Sequence, residues 1–166
     1  SARKNFRNEI YSDYKGNRSN APDDLIPQFD YIRKSVLAFN LPSIEMLNYE
    51  ADDLIATYVE QILDEGAKVT IVSSDKDLMQ LFKKKVRIYD PMKNKFISND
   101  DVINKFGVGP DKVIDVQSLA GDSSDNIPGV PGIGVKTAAE LINKYKTLDN
   151  LLKNASEIPQ NKRRET

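Results

Sequence analysis

The chain reads as an α/β protein built on a parallel sheet, followed by a compact helical module, and three observations carry that reading. An amphipathic helix over 51–65 runs into a short apolar segment, Lys68 to Val72, and a helix followed by a buried strand is the repeat of parallel α/β sheets. The segments Val86–Tyr89 and Lys95–Ile97 flank Asp90-Pro-Met-Lys-Asn94, which is a hairpin pattern. Beyond residue 98 the apolar residues recur at helical spacing, punctuated by caps and glycines.

Taken in order, residues 1–20 place Arg3, Lys4, Arg7, Lys15 and Arg18 among Phe6, Tyr11 and Tyr14. Cations interleaved with aromatics suit single-stranded nucleic acid, although a solvated leader has the same composition. Pro22 with Asp23 and Asp24 marks a helix start, and Leu25, Ile26, Phe29, Ile32, Val36 and Leu37 continue it until Pro42. Ser43 to Leu47 is a candidate strand. Tyr49-Glu50-Ala51-Asp52-Asp53 opens the next helix, whose stripe is Leu54, Ile55, Tyr58, Val59, Ile62 and Leu63, closed by Gly66. At about 100° per residue, Asp52 falls about 70° from the stripe centre and Asp53 about 170° away, so Asp53 is expected to face solvent. Acids at a helix start complement its dipole, which accounts for Glu50 and Asp53 more easily than for a half-buried Asp52.

Asp75 and Asp77 follow the strand directly, where open α/β sheets bind ligands. One of them can cap the following helix; the second is then unexplained. Ser98 to Asp101 caps a helix ending at Phe106-Gly107, Pro110-Asp111 begins another, and Thr147 caps a last one over Leu148 to Lys153. Between them lies Gly121-Asp122-Ser-Ser-Asp125-Asn-Ile-Pro-Gly129-Val-Pro-Gly132-Ile-Gly134-Val-Lys136-Thr137-Ala138, with a helix expected from Val135 to Tyr145. Its first half offers two carboxylates. Its second half brings glycines, free helix N–H groups and Lys136 to one place, which is an anion-binding pattern, though a plain helix–helix turn has similar glycines.

Composition narrows the chemistry. The 166 residues are 39% hydrophobic, enough for a real core, and no apolar run is long enough to cross a membrane. There is no histidine and no cysteine, which removes the Ser-His-Asp triad, thiolate catalysis and most transition-metal sites. The net charge of −1 provides no global field for nucleic acid, so any such binding must come from local patches. What remains is oxygen chemistry: acids cluster at 50–53, 75–77 and 122–125, and all-oxygen clusters suit Mg²⁺ or Mn²⁺. Seven acids exceed the needs of one such ion, so two ions are expected, a pair that clamps both oxygens of a phosphodiester displacement.

Tyr49-Glu-Ala-Asp-Asp53, Ser74-Asp-Lys-Asp77-Leu and the stretch from Gly121 to Ala138 together resemble the 5′ nuclease domain of bacterial DNA polymerase I, a relative of the flap endonucleases, in order and spacing from about Arg3 to Leu152. The resemblance implies a PIN-like (resolvase-like) core over 1–106 with a basic gateway at 1–20, a helix-three-turn-helix (helix-hairpin-helix-like) module over 107–155 and a tail over 156–166. It implies divalent-metal-dependent removal of 5′ flaps and RNA primers. Glu50 and Asp52, with Asp53 following, match first-site metal ligands; Asp75, Asp77, Asp122 and Asp125 match the second-metal cluster. Arg7, Lys15 and Arg18 match the gateway's catalytic cations. Gly129, Gly132, Gly134, Lys136 and Thr137 match the duplex-gripping turn, where a monovalent cation such as K⁺ can also sit. The implied partners are nicked, flapped or primer-bearing DNA and a covalently joined polymerase domain, in a monomeric, cytoplasmic bacterial protein. The family's opening strand, with its metal-binding aspartate, has no counterpart here, and a second strand's aspartate would fall immediately before Ser1. Two first-site ligands are thus expected to lie outside these residues, and the chain is expected to be a piece of something longer. The rival readings are a non-catalytic duplex-binding module, which would gain nothing from seven carboxylates beside phosphate, and a small-molecule phosphohydrolase, which needs neither basic leader nor glycine-rich grip.

Overall fold

The computed structural model describes residues 4–158; Arg3 of the basic leader and the tail from 159 to 166 lie outside the described residues. The chain divides into two compact units, one comprising the residues through Leu54 together with Ser124–Asn126, the other Ile55–Ser123 and the chain from Ile127 onward.

The second unit holds the hydrophobic core. Strand β1 (Val69–Val72) pairs in parallel with β2 (Val86–Asp90), Val69 opposite Val86 and Val72 opposite Tyr89, as the helix-then-strand pattern predicts. β2 pairs antiparallel with the two-residue β3 (Lys95–Phe96) across the expected hairpin. Alternation along β2 puts Val86 and Ile88 in the core with each about 1% exposed, while Arg87 faces out. A 3-10 turn over Asp77–Leu81, rather than the expected α-helix, links the parallel strands and drops Leu78 and Met79 into the same core.

The helical part of this unit follows its caps. Ser98 and Asp101 form a reciprocal capping box ahead of α4 (Asn99–Phe106), which ends on left-handed Gly107. A 3-10 turn beginning at Pro110 leads into α5 (Val113–Ala120). α6 (Val135–Tyr145) and α7 (Leu148–Lys153, capped by Thr147) occupy the expected positions. Val113, Val116 and Leu119 of α5 pack with Ala138, Ala139 and Ile142 of α6, and both rows repeat at i, i+3 or i, i+4 as a buried helix face requires.

In the first unit, α1 (Arg7–Ile10) is a single turn and α2 (Gln28–Ala38) starts six residues later than its sequence pattern suggests. Pro27 is the reason: it has no N–H to continue a helix from Pro22, so residues 23–27 form successive turns and Pro27 stands at the N-cap. Ser43 to Leu47 is not a strand. A strand needs a neighbour for its backbone groups, and among the described residues none pairs with this segment. The apolar stripe of α2 is correspondingly open, with Phe29, Ile32 and Leu37 exposed. α3 begins at Ala51 in this unit and runs to Asp64, its residues from Ile55 on belonging to the second unit, and Gly66 follows at φ +85°.

Candidate functional site

The candidate residues fall into a group within each unit. In the first unit the described part of the basic leader, from Lys4, is folded, not a solvated arm. Tyr14 is buried, its ring flanked by the Arg7 guanidinium and the Lys15 ammonium. Its hydroxyl lies 3.1 Å from both Glu50 Oε2 and Asp125 Oδ2. Burial pushes this phenol up to about 12, with Glu50 and Asp125 adding to the rise and Lys15 opposing it, so it stays protonated and can donate. A base-stacking role for this ring, suggested by the composition of the leader, does not fit a side chain so engaged.

Lys15 Nζ donates to both oxygens of Glu50, at 2.8 and 2.7 Å, and lies 3.6 Å from Asp125. Burial alone would lower its pKa, but the hydrogen bonds to Glu50 and Tyr14 outweigh that and raise it, keeping the ammonium charged. The backbone of Lys15 adopts φ +55°, a left-handed conformation uncommon for a side chain of this size, and is held there by its N–H donating to the Asp125 carbonyl at 2.8 Å. Arg18 donates to Asp125 Oδ1 at 2.6 Å.

Asp53 corrects the helical-wheel expectation. It does not point to solvent: Arg7 grips it with two parallel hydrogen bonds of 2.9 and 2.7 Å, and it accepts the Glu50 N–H at 2.8 Å. The guanidinium, then the backbone N–H, hold this carboxyl below its ordinary range against the effect of burial. At the first turn of a helix the side chain can fold back over the N-terminus, so a wheel angle computed for mid-helix residues does not apply. Asp52, beside it, is half-buried as expected. Asn5, buried and not singled out by the sequence, donates from Nδ2 to Glu50 Oε1 at 2.7 Å while its Oδ1 accepts the Arg7 N–H.

In the second unit, Asp75 and Asp77 stand just past the C-terminal end of β1. The turn is tied by Asp77 N–H donating to Asp75 Oδ1 at 2.9 Å and Asp75 N–H donating to Ser73 Oγ at 3.0 Å. Gln117 of α5 donates to Asp77 Oδ1 at 2.7 Å, and Lys76 reaches Asp122 Oδ2 at 2.5 Å. Burial raises the Asp77 pKa, Gln117 and Lys76 oppose the rise, and the Asp75 and Asp122 carboxylates add to it. Of the four acids matched to one metal cluster by sequence, Asp75 and Asp122 therefore act on Asp77 here, whereas Asp125 makes its ion pairs with Lys15 and Arg18 in the first unit. Gln117 and Lys76 escaped the sequence reading as site residues. Lys76 had a signal, a cation enclosed by two acids; Gln117, on a different element, had none.

Among the described residues no three acids are gathered closely enough to hold a metal ion as they stand. The donor chemistry of the second unit nonetheless fits a hard divalent cation: three carboxylates, one of them half-buried and destabilised by the other two, with a neutral amide and one lysine in compensation.

The glycine-rich turn is pinched. Asp122 and Ile127 exchange backbone hydrogen bonds of 2.9 and 2.8 Å, and Val130 N–H donates to Leu119 O at 2.8 Å. A Cβ on Gly129 would stand 2.3 Å from Ala120 O, so Gly129 is explained by packing within the chain itself. Gly132 has φ +79°, as its place in a sharp turn suggests. Gly134 is the N-cap of α6 and offers no side-chain acceptor, leaving the first N–H groups of that helix uncapped beside exposed Lys136 and half-buried Thr137.

Residues 1–107 match the 5'-3' exonuclease N-terminal resolvase-like domain, and residues 108–166 match the 5'-3' exonuclease C-terminal SAM fold. A DNA polymerase I of Rhizobium leguminosarum is 59% identical over 163 residues, covering 98% of this chain and 16% of that protein. A 5'-3' exonuclease of Aquifex aeolicus is 43% identical, covering 91% of this chain and 52% of the relative. The chain thus spans about half the length of the free-standing exonuclease and a small part of the polymerase. Among solved structures, the T5 D15 protein co-crystallised with metal ions superposes with a TM-score of 0.84 at 25% identity, over 98% of this chain and 65% of that one. The bacteriophage T5 flap endonuclease in a pseudo-enzyme-product complex with DNA and metal ions superposes with a TM-score of 0.79 at the same identity, over 95% of this chain and 61% of that one. With both halves matched in order and the acids standing at strand and helix ends, the chain belongs to the 5'-3' exonuclease family, with a resolvase-like domain followed by a SAM-fold helical module.

Proposed function

We propose that the protein containing this chain is a structure-specific 5′ nuclease, hydrolysing phosphodiesters at 5′ flaps and RNA primers during DNA replication and repair, in the bacterial cytoplasm and as part of a monomeric polymerase. The observation that carries the reading is the carboxylate group beyond β1, where a half-buried Asp77, tied to Gln117, stands near Asp75 and the Lys76-paired Asp122, in a family whose solved members include metal-bound nucleases. We assign Asp75, Asp77 and Asp122 to one Mg²⁺ or Mn²⁺ ion, and Glu50 and Asp52 to another; Asp125, matched to the former cluster by sequence, pairs with Lys15 and Arg18. Asp53 is the least suited of the candidate ligands, because Arg7 occupies both its oxygens. When bound, two such ions would supply the charge that activates water and stabilises the leaving oxygen.

The chain's own residues supply positioning. Lys15 and Arg18, charged and partnered by carboxylates, are placed to exchange those partners for a substrate phosphate, and Arg7 braces the start of α3 beneath them. Tyr14, held protonated, is a neutral donor that keeps Glu50 and Asp125 oriented. Gly132, Gly134, Lys136 and Thr137 form an anion-binding turn for a duplex backbone, with a monovalent cation such as K⁺ on its carbonyls; Gly129 shapes that turn. We keep the boundary between core and module near residue 107, with the tail after 155.

The test is cleavage of one end-labelled 5′-flap duplex in Mg²⁺ by the intact protein and by its Asp75→Asn/Asp122→Asn form, with DNA affinity measured in parallel. The rate is expected to fall a hundredfold or more, since several kcal/mol of transition-state stabilisation go with the ion, while binding of flap DNA persists. Cleavage at an unchanged rate would sink the reading; absence of cleavage in both forms with binding intact would leave the duplex-binding module as the better account.

A further inference from the structure

We propose that Lys76 is the resident counter-cation of the Asp75, Asp77 and Asp122 group, and that a divalent ion enters this group by exchange with the Lys76 ammonium rather than by joining it. The inference rests on the metal-binding reading above and adds a competitor for the site built into the chain.

Three features of the second unit carry it. Asp122 is only 8% exposed, so its carboxylate has lost most of its water and must be neutralised by something fixed. Lys76 Nζ does this at 2.5 Å from Oδ2, so a dication brought to that oxygen would stand directly beside the ammonium. Lys76 is also the residue between Asp75 and Asp77, so the covalent chain keeps the ammonium within reach of the acids even when it is displaced from Asp122. The other non-acidic group in the cluster, the Gln117 amide, is neutral and satisfies Asp77 without competing electrostatically with a metal.

Lys76 and Gln117 also account for the spacing of the acids. Asp122 is drawn to the ammonium and Asp77 to the amide, and the three acids are not gathered closely enough to hold an ion. Bringing an ion onto Asp122 would set a dication against the ammonium in a poorly hydrated pocket. Like charges there repel strongly, and the side chain of Lys76, 32% exposed, can leave along its own flexible stem. Exchange therefore makes metal affinity a difference between two cations. It also gives the metal-free chain a partly neutralised cluster in place of three bare carboxylates.

Two measurements on the intact protein test this. Calorimetric titration with Mn²⁺ compares wild type, Lys76→Met, Lys76→Gln and Asp75→Asn/Asp122→Asn. Removing the competing charge should tighten binding at this site about tenfold in both lysine variants, and the acid variant should lose it. Reductive dimethylation read by mass spectrometry then follows Lys76 with and without Mn²⁺, against exposed Lys68 as reference. Lys76 should label faster when Mn²⁺ is present, and Lys68 should not change. Unchanged or weaker Mn²⁺ binding in both lysine variants overturns the exchange, as does a labelling rate that ignores bound Mn²⁺. Mn²⁺ binding that is identical in wild type and the acid variant overturns instead the metal-site reading beneath it, and the exchange with it.

Discussion

Asp101 shows how much of this fold rests on single polar contacts. Its carboxylate accepts from Lys95 at 2.6 Å and from both the N–H and Oγ of Ser98 at 2.8 Å, while its own N–H donates back to Ser98 Oγ at 3.1 Å. Lys95 first, and then the Ser98 groups, hold its pKa well below the usual carboxylate range. A depressed folded-state pKa contributes stability that is present above the unfolded value, about 3.9, and lost as pH falls through the folded one. Asp101→Asn should therefore lower Tm at pH 7, and the gap from wild type should close progressively below about pH 4. Circular dichroism melts across that range measure it; a gap independent of pH would assign the effect to shape, not charge. At the site, the same local logic makes Asp53 a partner of Arg7, and makes Tyr14 and Asn5 supports for Glu50.

At the scale of elements, the turn between α5 and α6 depends on two backbones meeting where no side chain fits. A Cβ on Gly121 would lie 2.3 Å from Gly129 N, and Gly121 also has φ +70°. Gly134, in contrast, faces open space with φ −91°. Gly121→Ala and Gly129→Ala should each cost about 2–3 kcal/mol or more, as overpacking against fixed atoms does, whereas Gly134→Ala should cost less than about 1 kcal/mol, the difference between two poor N-cap residues. Urea unfolding midpoints decide it; comparable losses in all three would remove the pinch as the reason for the first two glycines. The outcome also separates glycines that shape the turn from one left free to approach a partner.

For the molecule as a whole, a net charge of −1 means that the proposed DNA binding must rest on a few placed cations. Lys136, exposed on the uncapped first turn of α6, is the clearest of these in the second unit. Lys136→Glu should weaken binding of nicked duplex about tenfold or more at low salt and reduce the slope of log affinity against log salt by about one phosphate contact. The loss should be uniform across sequences, because backbone contacts position a protein without reading bases. Fluorescence anisotropy at several salt concentrations tests both; an unchanged slope would take Lys136 out of the interface. Among the described residues no helix is long and apolar enough to cross a membrane.

Local signals in the sequence were sufficient wherever a residue's state depends on its near neighbours. The caps and terminal glycines placed α4, α6 and α7, a short apolar run after an amphipathic helix placed β1, and the turn residues at 90–94 placed the β2–β3 hairpin. The three acid clusters were visible for the same reason: their spacing is short and the chain lacks histidine and cysteine. Tertiary structure decided the rest. Ser43 to Leu47 has strand-like residues but no ladder partner among the described residues, and a strand is a property of two segments. Asp53 faces Arg7, 46 positions away in sequence, and Gln117 meets Asp77 across 40. Asp122 and Asp125, three residues apart, find different lysines in different units. Which charge neutralises which is set by distance through space in a medium of low dielectric, and the linear order of residues does not encode that distance.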